Sequence, residues 1–230
     1  MKKFFLAPAR FVFLRAYRSD SLRKLLLRFF VQLHYRSYLF LKKLVIPYGG
    51  SHPKHEMLRY DLFFTGNISS TDRVLDIGCS TGSMAAKLAG QAKDVVGIDI
   101  IAKDIEKAKK LHPEKNLTFI AGDATTYPFE KKFDTITLSN VLEHIDKRDE
   151  FLKKISKLAP KILVRVPLAT REWLAFYLRE NGYEYRLDPT HFTEYTEEEI
   201  RDELERAGFH VTSFFVKWGE WYGVCIQQKK

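Results

Sequence analysis

The sequence predicts an α/β fold: a Rossmann-like, doubly wound, mostly parallel seven-stranded sheet with a C-terminal antiparallel hairpin, preceded by basic N-terminal helices. Two observations carry this prediction. From Arg73 onward, short and almost continuous apolar runs alternate with polar stretches of helical period, a pattern typical of a parallel sheet covered by helices on both faces. Near the C-terminus, two further apolar runs flank Trp218-Gly219-Glu220, as in a hairpin.

The first 47 residues have the pattern of one or two amphipathic helices, ended by the breaker cluster Pro47-Tyr48-Gly49-Gly50. Basic residues fall on one side of the helical wheel and apolar residues on the other. The predicted apolar side comprises Leu22, Leu26, Phe29, Phe30, Leu33, Phe40 and Leu44. A second, short helix is predicted over residues 54–64. We therefore expect a basic amphipathic extension at residues 1–50 and a separate domain at residues 51–230.

The parallel part of the sheet accounts for five predicted strands. They cover residues 73–77, 94–99, 117–121, 133–138 and 161–166, and Pro167 stops the fifth. Helices are predicted over residues 83–88, 149–158 and 197–207, and Gly208 ends the last of them. A further helix follows the second strand and ends at Leu111. The two hairpin strands are predicted at residues 209–216 and 221–227.

The net charge of +9 is distributed unevenly along the chain. Residues 1–60 hold thirteen Lys or Arg residues against Asp20 and Glu56, a net of +11, whereas the remaining residues carry a net of −2. Such a segment meets phosphates of a membrane surface, a nucleic acid or an anionic substrate, or is a solvated helix face. The interspersed Leu and Phe favour a membrane surface or core packing. We expect peripheral membrane contact through residues 1–47 and no nucleic-acid partner.

Two further features bear on location. Six Lys or Arg residues between positions 22 and 46 argue against a spanning helix. The two cysteines, Cys79 and Cys225, form neither a CxxC pair nor a disulfide framework, which favours a reducing cytosol, and no zinc or iron–sulfur spacing predicts a metal. We expect a cytoplasmic protein, peripheral at the membrane, although a mitochondrial presequence has the same basic, acid-poor composition.

Polar residues follow four consecutive predicted strands. Asp76 precedes the glycine-bearing loop Gly78-Cys79-Ser80-Thr81-Gly82, and glycine lets a ligand approach the backbone closely. Asp99 ends the second strand, Gly122-Asp123-Ala124 follows the third, and Ser139-Asn140 follows the fourth. The carboxyl ends of parallel strands form the ligand crevice, where one carboxylate accepts from ribose hydroxyls and another from an adenine amine. The pattern predicts an adenosine-containing ligand.

A nicotinamide dinucleotide suits these residues less well. A GxGxxG fingerprint that starts at Gly78 needs glycines at positions 80 and 83, where the chain has Ser80 and Ser83. The acid Asp76 suits a ligand amine better than a pyrophosphate, which prefers amide donors.

These motifs resemble class I S-adenosylmethionine (SAM)-dependent methyltransferases, and more narrowly the small-molecule and glycan branch called type 11 or type 23. The run Phe133–Ile145, with Asn140-Val141-Leu142-Glu143-His144, and the run Asp188–Thr196 add to the resemblance, which covers about residues 52–228. It implies SAM as cofactor and a methyltransferase domain at 51–230. The implied cofactor-binding residues are Asp76, Gly78, Cys79, Ser80, Gly82, Asp99, Ile100, Asp123, Ala124 and Asn140. Ser80 departs from the family, which has a glycine there.

Because SAM carries an activated methyl group, the main task of the protein is to position an acceptor. Such positioning can lower the activation barrier by about 7–11 kcal/mol. His144 and His191 are the candidate general bases, since an imidazole titrates near neutral pH. Alternatively, His144 is a helix-start residue that orders Glu143 and the loop, and His191 connects its own loop to the helix that starts at Glu197. His191 and Arg165 are also candidate substrate-binding residues, with Arg165 suited to a carboxylate or phosphate. The alternative for Arg165 is a plain ion pair.

We expect methylation of an O or N atom of a small molecule, glycan or lipid-linked intermediate. Ser139-Asn140-Val141-Leu142 is not the Asp/Asn-Pro-Pro-aromatic run of adenine or glutamine amino-methyltransferases, and neither cysteine is placed as a nucleophile for cytosine C5 chemistry. Two alternatives stay open: an RNA-binding methyltransferase that uses the basic N-terminal arm, and a SAM-binding protein without catalysis.

Overall fold

The structure, a computed structural model, describes residues 18–47 and 53–228. The chain divides into two compact units, Met1–Met57 with Tyr177–Tyr185, and Leu58–Phe176 with Arg186–Lys230. The part of the N-terminal helical prediction that falls on residues 1–17, and most of the breaker cluster after Pro47, lie outside the described residues. The domain boundary expected at residue 50 stays a prediction.

The first unit contains one long helix, α1 (Asp20–Leu44). Ser19 caps it by accepting a hydrogen bond from the backbone N–H of Leu22. Acidic Asp20 in the first turn and basic residues in the last turn complement the helix dipole. No helix in the described ranges is both long and apolar enough to cross a membrane.

The predicted apolar side of α1 is largely exposed to solvent. Five of its seven residues are at least half exposed, namely Phe29, Phe30, Leu33, Phe40 and Leu44. The one buried residue of the helix, Val31, lies on the opposite side of the wheel. The periodicity therefore identifies an apolar side, but the helix buries a different one.

The helix predicted over residues 54–64 is two short helices, α2 (Lys54–Leu58) and α3 (Asp61–Gly66). Between them Arg59 has a φ of 46°. This left-handed conformation is costly for a residue with a Cβ and cannot continue a right-handed helix. The prediction of one helix was wrong for this reason.

The second unit contains a seven-stranded sheet with the strand order β3-β2-β1-β4-β5-β7-β6. The strands are β1 (Arg73–Ile77), β2 (Asp94–Asp99), β3 (Leu117–Ala121), β4 (Thr135–Ser139), β5 (Lys161–Pro167), β6 (Phe209–Lys217) and β7 (Glu220–Gln227). The first five pair in parallel, whereas β7 pairs antiparallel with both β5 and β6. This topology confirms the predicted fold class.

The remaining helices come between these strands in the sequence. They are α4 (Ser83–Ala89), α5 (Ala102–Leu111), α6 (Arg148–Ile155), α7 (Trp173–Glu180) and α8 (Glu197–Arg206), with 3₁₀ turns at Leu142–His144 and Ala169–Arg171. A capping box between Thr196 and Glu199 starts α8, and Gly208, with a φ of 89°, follows its end as predicted.

Several boundaries differ from the sequence pattern by one to three residues, and three of them are informative. The fourth strand starts at Thr135 and not at Phe133, because the N–H of Phe133 donates to the carbonyl of Leu158 and not to a ladder. Pro167 belongs to β5, where it is the last residue and pairs with Glu220 of β7. The hairpin turn has two residues, Trp218 and Gly219, both with positive φ, as in a type I′ turn.

Buried residues form an apolar core on each face of the sheet. On one face Leu75 packs with Leu152 of α6 and Leu204 of α8. On the other face Val74 packs with Leu88 of α4 and Ile105 of α5. Neighbouring residues of one strand point to opposite faces, so both faces are covered. This leaves the carboxyl ends of the strands for ligands, around the point between β1 and β4 where the strand order reverses.

Candidate active site

Asp76, near the end of β1, is buried among apolar residues. Its Oδ1 accepts a hydrogen bond of 2.6 Å from the hydroxyl of Thr137 on the neighbouring β4. Its Oδ2 has no hydrogen-bond partner in the described part of the chain. Burial raises the pKa of this carboxyl to about 7. One oxygen of a buried acid is thus left for a donor, such as a ligand amine.

The loop that follows β1 takes left-handed conformations at Gly78, Ser80 and Gly82, with φ of 72°, 47° and 83°. A Cβ on Gly78 would lie 2.7 Å from Cγ2 of Val141, so this position needs glycine for space as well as for conformation. Ser80 adopts the conformation although it has a Cβ. Its N–H donates to Asp99 and its hydroxyl to Asp104.

Cys79 turns its side chain into the core. The thiol is buried, which raises its pKa, and a Cβ on Gly97 would lie 2.9 Å from its Sγ. Contact of Cys79 with a cofactor would therefore run through its backbone.

Asp99 is held at the end of β2 by backbone amides. Its Oδ2 accepts from the N–H of Ser80 at 2.8 Å, and its Oδ1 accepts from the N–H of Ile101 at 2.9 Å. Each carboxylate oxygen has a second acceptor site, so both remain able to accept from a diol. The side chain of Ile100 beside it is exposed.

Asp123 occupies the equivalent place after β3. Its Oδ1 accepts from the N–H and the hydroxyl of Thr125, at 2.8 and 2.7 Å. Ala124 is half-buried and packs against the core. Because β3, β2 and β1 are consecutive in the sheet, three carboxyl groups lie at adjacent strand ends.

Asn140 follows β4 with a φ of 57°. Its N–H donates to the carbonyl of Arg165 at 2.9 Å. Its side-chain Oδ1 is buried and has no hydrogen-bond partner among the described residues. The amide oxygen can therefore accept from a ligand.

Arg165 on β5 is buried against β7. Its Nε donates to Glu220, its Nη1 donates to the hydroxyl of Ser139 at 3.2 Å, and its guanidinium stacks 4.0 Å from the ring centroid of Tyr60. The pKa of Arg165 is raised because the attraction of Glu220 outweighs the opposing effect of burial. The geometry is that of the ion-pair alternative. Nη2 alone lacks a described partner, and a role toward the acceptor stays a prediction.

The structure brings the two candidate bases together. The rings of His144 and His191 lie 4.6 Å apart between centroids and are nearly perpendicular. His144 is exposed, with Nδ1 at 3.0 Å from the hydroxyl of Thr190. His191 is buried, with Nδ1 at 2.8 Å from Glu194. Glu194 also accepts from Arg171 and from the N–H of Leu187.

Glu143 lies beside these rings and is fully buried. Its carbonyl accepts from the N–H of Phe192 at 2.7 Å, but neither carboxylate oxygen has a hydrogen-bond partner within the described ranges. Burial raises its pKa to about 8, and Asn140 and Arg165 offset only part of this effect.

Sequence reasoning missed Glu143, Glu194 and Glu220 as members of the site. Glu194 had a usable signal, because it follows His191 by three residues in a short loop. Glu143 is adjacent to His144 and appeared only within a motif. Glu220 had no such signal, since it is 55 residues from Arg165 and reaches it through strand pairing.

A family model described as a methyltransferase domain matches residues 14–213. The ubiquinone biosynthesis O-methyltransferase of Pelagibacter ubique is 36% identical over 92 residues, which are 39% of this chain and 38% of that protein. The demethylmenaquinone methyltransferase of Beutenbergia cavernae is 29% identical over 150 residues, 60% of this chain and 61% of that protein. The chain thus matches less than two thirds of the length of these relatives.

Solved structures share the fold at low sequence identity. Magnesium protoporphyrin IX methyltransferase from Synechocystis PCC 6803 with bound S-adenosylhomocysteine has a TM-score of 0.57 at 20% identity and covers 75% of this chain and 81% of that one. A putative methyltransferase in complex with the Haloferax volcanii Trm112 activator has a TM-score of 0.62 at 14% identity, with 76% and 92% covered. Since the family model spans most of the chain, the protein belongs to the family of SAM-dependent methyltransferases, whose cofactor is SAM.

Proposed function

We propose that this protein transfers the methyl group of SAM to an oxygen or nitrogen atom of a small molecule, glycan or lipid-linked acceptor. The observation that carries the proposal is the row of three carboxyl groups, Asp76, Asp99 and Asp123, at adjacent strand ends. Each has acceptor capacity beyond its internal hydrogen bonds. The three match the three donor groups of SAM, namely the amine, the ribose diol and the adenine amine.

The loop fits the same cofactor. The positive φ of Gly78 and Gly82 brings the backbone close to the crevice without a side chain in the way. We assign Gly78, Ser80 and Gly82 to the methionine part of SAM, together with Cys79 through its backbone. Exposed Ile100 and half-buried Ala124 flank the two acids that would hold ribose and adenine, and Asn140 offers its amide oxygen on the other side.

Replacing Asp99 with Ala tests the cofactor assignment. The change removes two charge-assisted hydrogen bonds to the ribose, each of about 1.5–3 kcal/mol, and unpairs two backbone amides. We expect SAM affinity to fall about a hundredfold or more, measured by isothermal titration calorimetry. Asp94→Ala, at the opposite end of the same strand, is the matched control and should keep the affinity. Unchanged SAM binding in Asp99→Ala would contradict the proposal.

At the acceptor, His144 and His191 support transfer to a hydroxyl. A group that takes the hydroxyl proton contributes roughly 10²–10⁴-fold. His144 is exposed and can therefore meet an acceptor. His191 is buried, is held by Glu194 and packs against the ring of His144. The relatives named as O-methyltransferases favour oxygen over nitrogen.

The exposed apolar side of α1 supports the expected membrane contact. Basic Lys24, Arg28 and Lys43 accompany exposed Phe29, Leu33 and Phe40 on the same helix, a composition typical of helices at an anionic lipid surface. Flotation of the full chain with anionic vesicles should fall when Phe29 and Phe40 are both replaced by Glu. Equal flotation of wild type and variant would exclude this surface. RNA binding by the same segment is the weaker alternative, because the exposed side is apolar.

A further inference from the structure

We propose that Glu143, His144 and His191 bind one divalent transition-metal cation, of the class that Zn²⁺ represents. One ligand atom from each of the three side chains lies within 4.8 Å of the other two. Two imidazoles and one carboxylate are a donor set that zinc and its neighbours prefer, and three protein ligands leave a position open for an oxygen. Metal binding at this place goes beyond the proposed methyl transfer. A bound cation would occupy the ring nitrogen that His144 otherwise offers as a base, so an oxygen held by the cation would then lose its proton in place of a hydroxyl paired with the histidine.

The carboxylate of Glu143 is the first argument for a cation. The side chain is fully buried, and neither of its oxygens makes a well-formed hydrogen bond among the described residues, although the Asn140 side chain lies close enough to lower its pKa. An ionised carboxyl group buried without a full set of partners costs several kcal/mol. Its backbone is fixed in the 3₁₀ turn Leu142–His144 and by the hydrogen bond from Phe192, so the group cannot simply turn to solvent. A metal ion at the cluster supplies the missing partner.

The way the histidines are held is the second argument. Histidines that bind metals usually donate their other ring N–H to a carboxylate or another acceptor, which fixes the ring and its tautomer. His191 does so toward Glu194, which is itself fully buried and held by Arg171. His144 has a hydroxyl, that of Thr190, at its Nδ1. Both rings are thus oriented by residues outside the cluster.

Neighbouring charges bear on the affinity. Arg186 donates to the carbonyl of His191, and the charge of Arg165 reaches Glu143. These two positive charges repel a bound metal cation, whereas the negative charges of Glu194 and Glu220 attract it. With three ligands and mixed surroundings, we expect a site that loads from solution and exchanges its metal. The open position would take water or an acceptor oxygen, whose pKa a bound cation lowers.

Zinc titration of the full-length, metal-free protein, followed by calorimetry, tests the proposal. We expect one equivalent of Zn²⁺ to bind. His144→Ala removes a ligand from an exposed position and leaves the core intact, and it should weaken binding at least tenfold. Glu194→Gln, which acts through His191, should weaken it by about 10–100-fold. His210→Ala, on an exposed strand position, is the matched control and should bind zinc like the wild type.

SAM affinity, measured on the same samples, separates this proposal from the proposed function. Wild-type SAM affinity in His144→Ala shows that the variant is folded, so that a loss of zinc binding then reports the site itself. No zinc binding to the wild type, or equal binding to wild type and His144→Ala, would overturn the metal site while leaving methyl transfer in place. Loss of SAM binding in Asp99→Ala, with zinc binding intact, supports both.

Discussion

Two groups of residues at the carboxyl ends of the strands are held in place in different ways, and we call them the cofactor edge and the acceptor edge. At the cofactor edge, which comprises Asp76, Asp99 and Asp123, two of the acids are held by backbone N–H groups two residues farther along or in the adjoining loop. At the acceptor edge, which comprises Asn140, Glu143, Arg165 and His191, side chains meet partners from distant parts of the chain, as Arg165 meets Glu220 and His191 meets His144. The cofactor edge is thus a property of local chain geometry, and the acceptor edge a property of tertiary packing.

The edges also differ in unsatisfied polar atoms. Considering only partners within residues 18–47 and 53–228, the cofactor edge has one buried polar atom without a hydrogen bond, Oδ2 of Asp76. The acceptor edge has Oδ1 of Asn140, both oxygens of Glu143 and Nη2 of Arg165. Buried polar groups are nearly always paired in folded proteins. The acceptor edge therefore has the greater capacity for polar partners, which fits a place where an acceptor or a cation binds.

The largest expected effect concerns the ion pair of the acceptor edge. Arg165→Met leaves Glu220 buried without its ionic partner and with only the Tyr222 hydroxyl as a donor, which costs about 3–5 kcal/mol of unfolding free energy. The double variant with Glu220→Gln should recover part of this loss. Urea denaturation measures both. Arg206→Met, which removes an exposed partner of Asp149, is the control and should cost less than about 1 kcal/mol.

If Arg165→Met costs no more than Arg206→Met, the pair contributes little to the fold. Arg165 would then be available to an acceptor, and the contrast between the edges would weaken.

A smaller effect is expected from Asp76 at the cofactor edge. Its pKa is raised to about 7 from 3.8, so the SAM-free folded protein keeps a proton there that the unfolded chain has lost. Stability from this group is present at low pH and is lost as the pH rises through 7. Between about pH 5.5 and about pH 7.5 the unfolding free energy should fall by about 2 kcal/mol. Asp76→Asn should remove this decline.

Denaturation curves at a series of pH values make the comparison between wild type and Asp76→Asn. Identical pH profiles would show that the Asp76 carboxyl holds no extra proton in the folded protein. A steeper profile in the wild type would instead confirm that the cofactor edge stores one unfavourable charge, which a ligand amine could neutralise.

The same contrast explains what the sequence could reveal. The five parallel strands could be located because both of their faces are covered, which makes their sequences almost continuously apolar. The acids of the cofactor edge followed because they adjoin strand ends. The break at Arg59 could not be predicted, since nothing in the residue types around it indicates a left-handed backbone. Glu220 was invisible because its role depends on the register between β5 and β7. For α1, the pattern showed an apolar side but not which side packing covers.

The two-residue turn at Trp218 and Gly219 has a consequence for how the protein tolerates insertions. Glu220 comes directly after it, and the carbonyl of Gly219 accepts from the N–H of Leu168. A Cβ on Gly219 would lie 2.6 Å from Cβ of Arg171, the residue that holds Glu194. One added residue would turn Glu220 to the other face of the sheet. Surface hairpins usually accept changes in length, but here the length of the turn determines whether Glu220 meets Arg165.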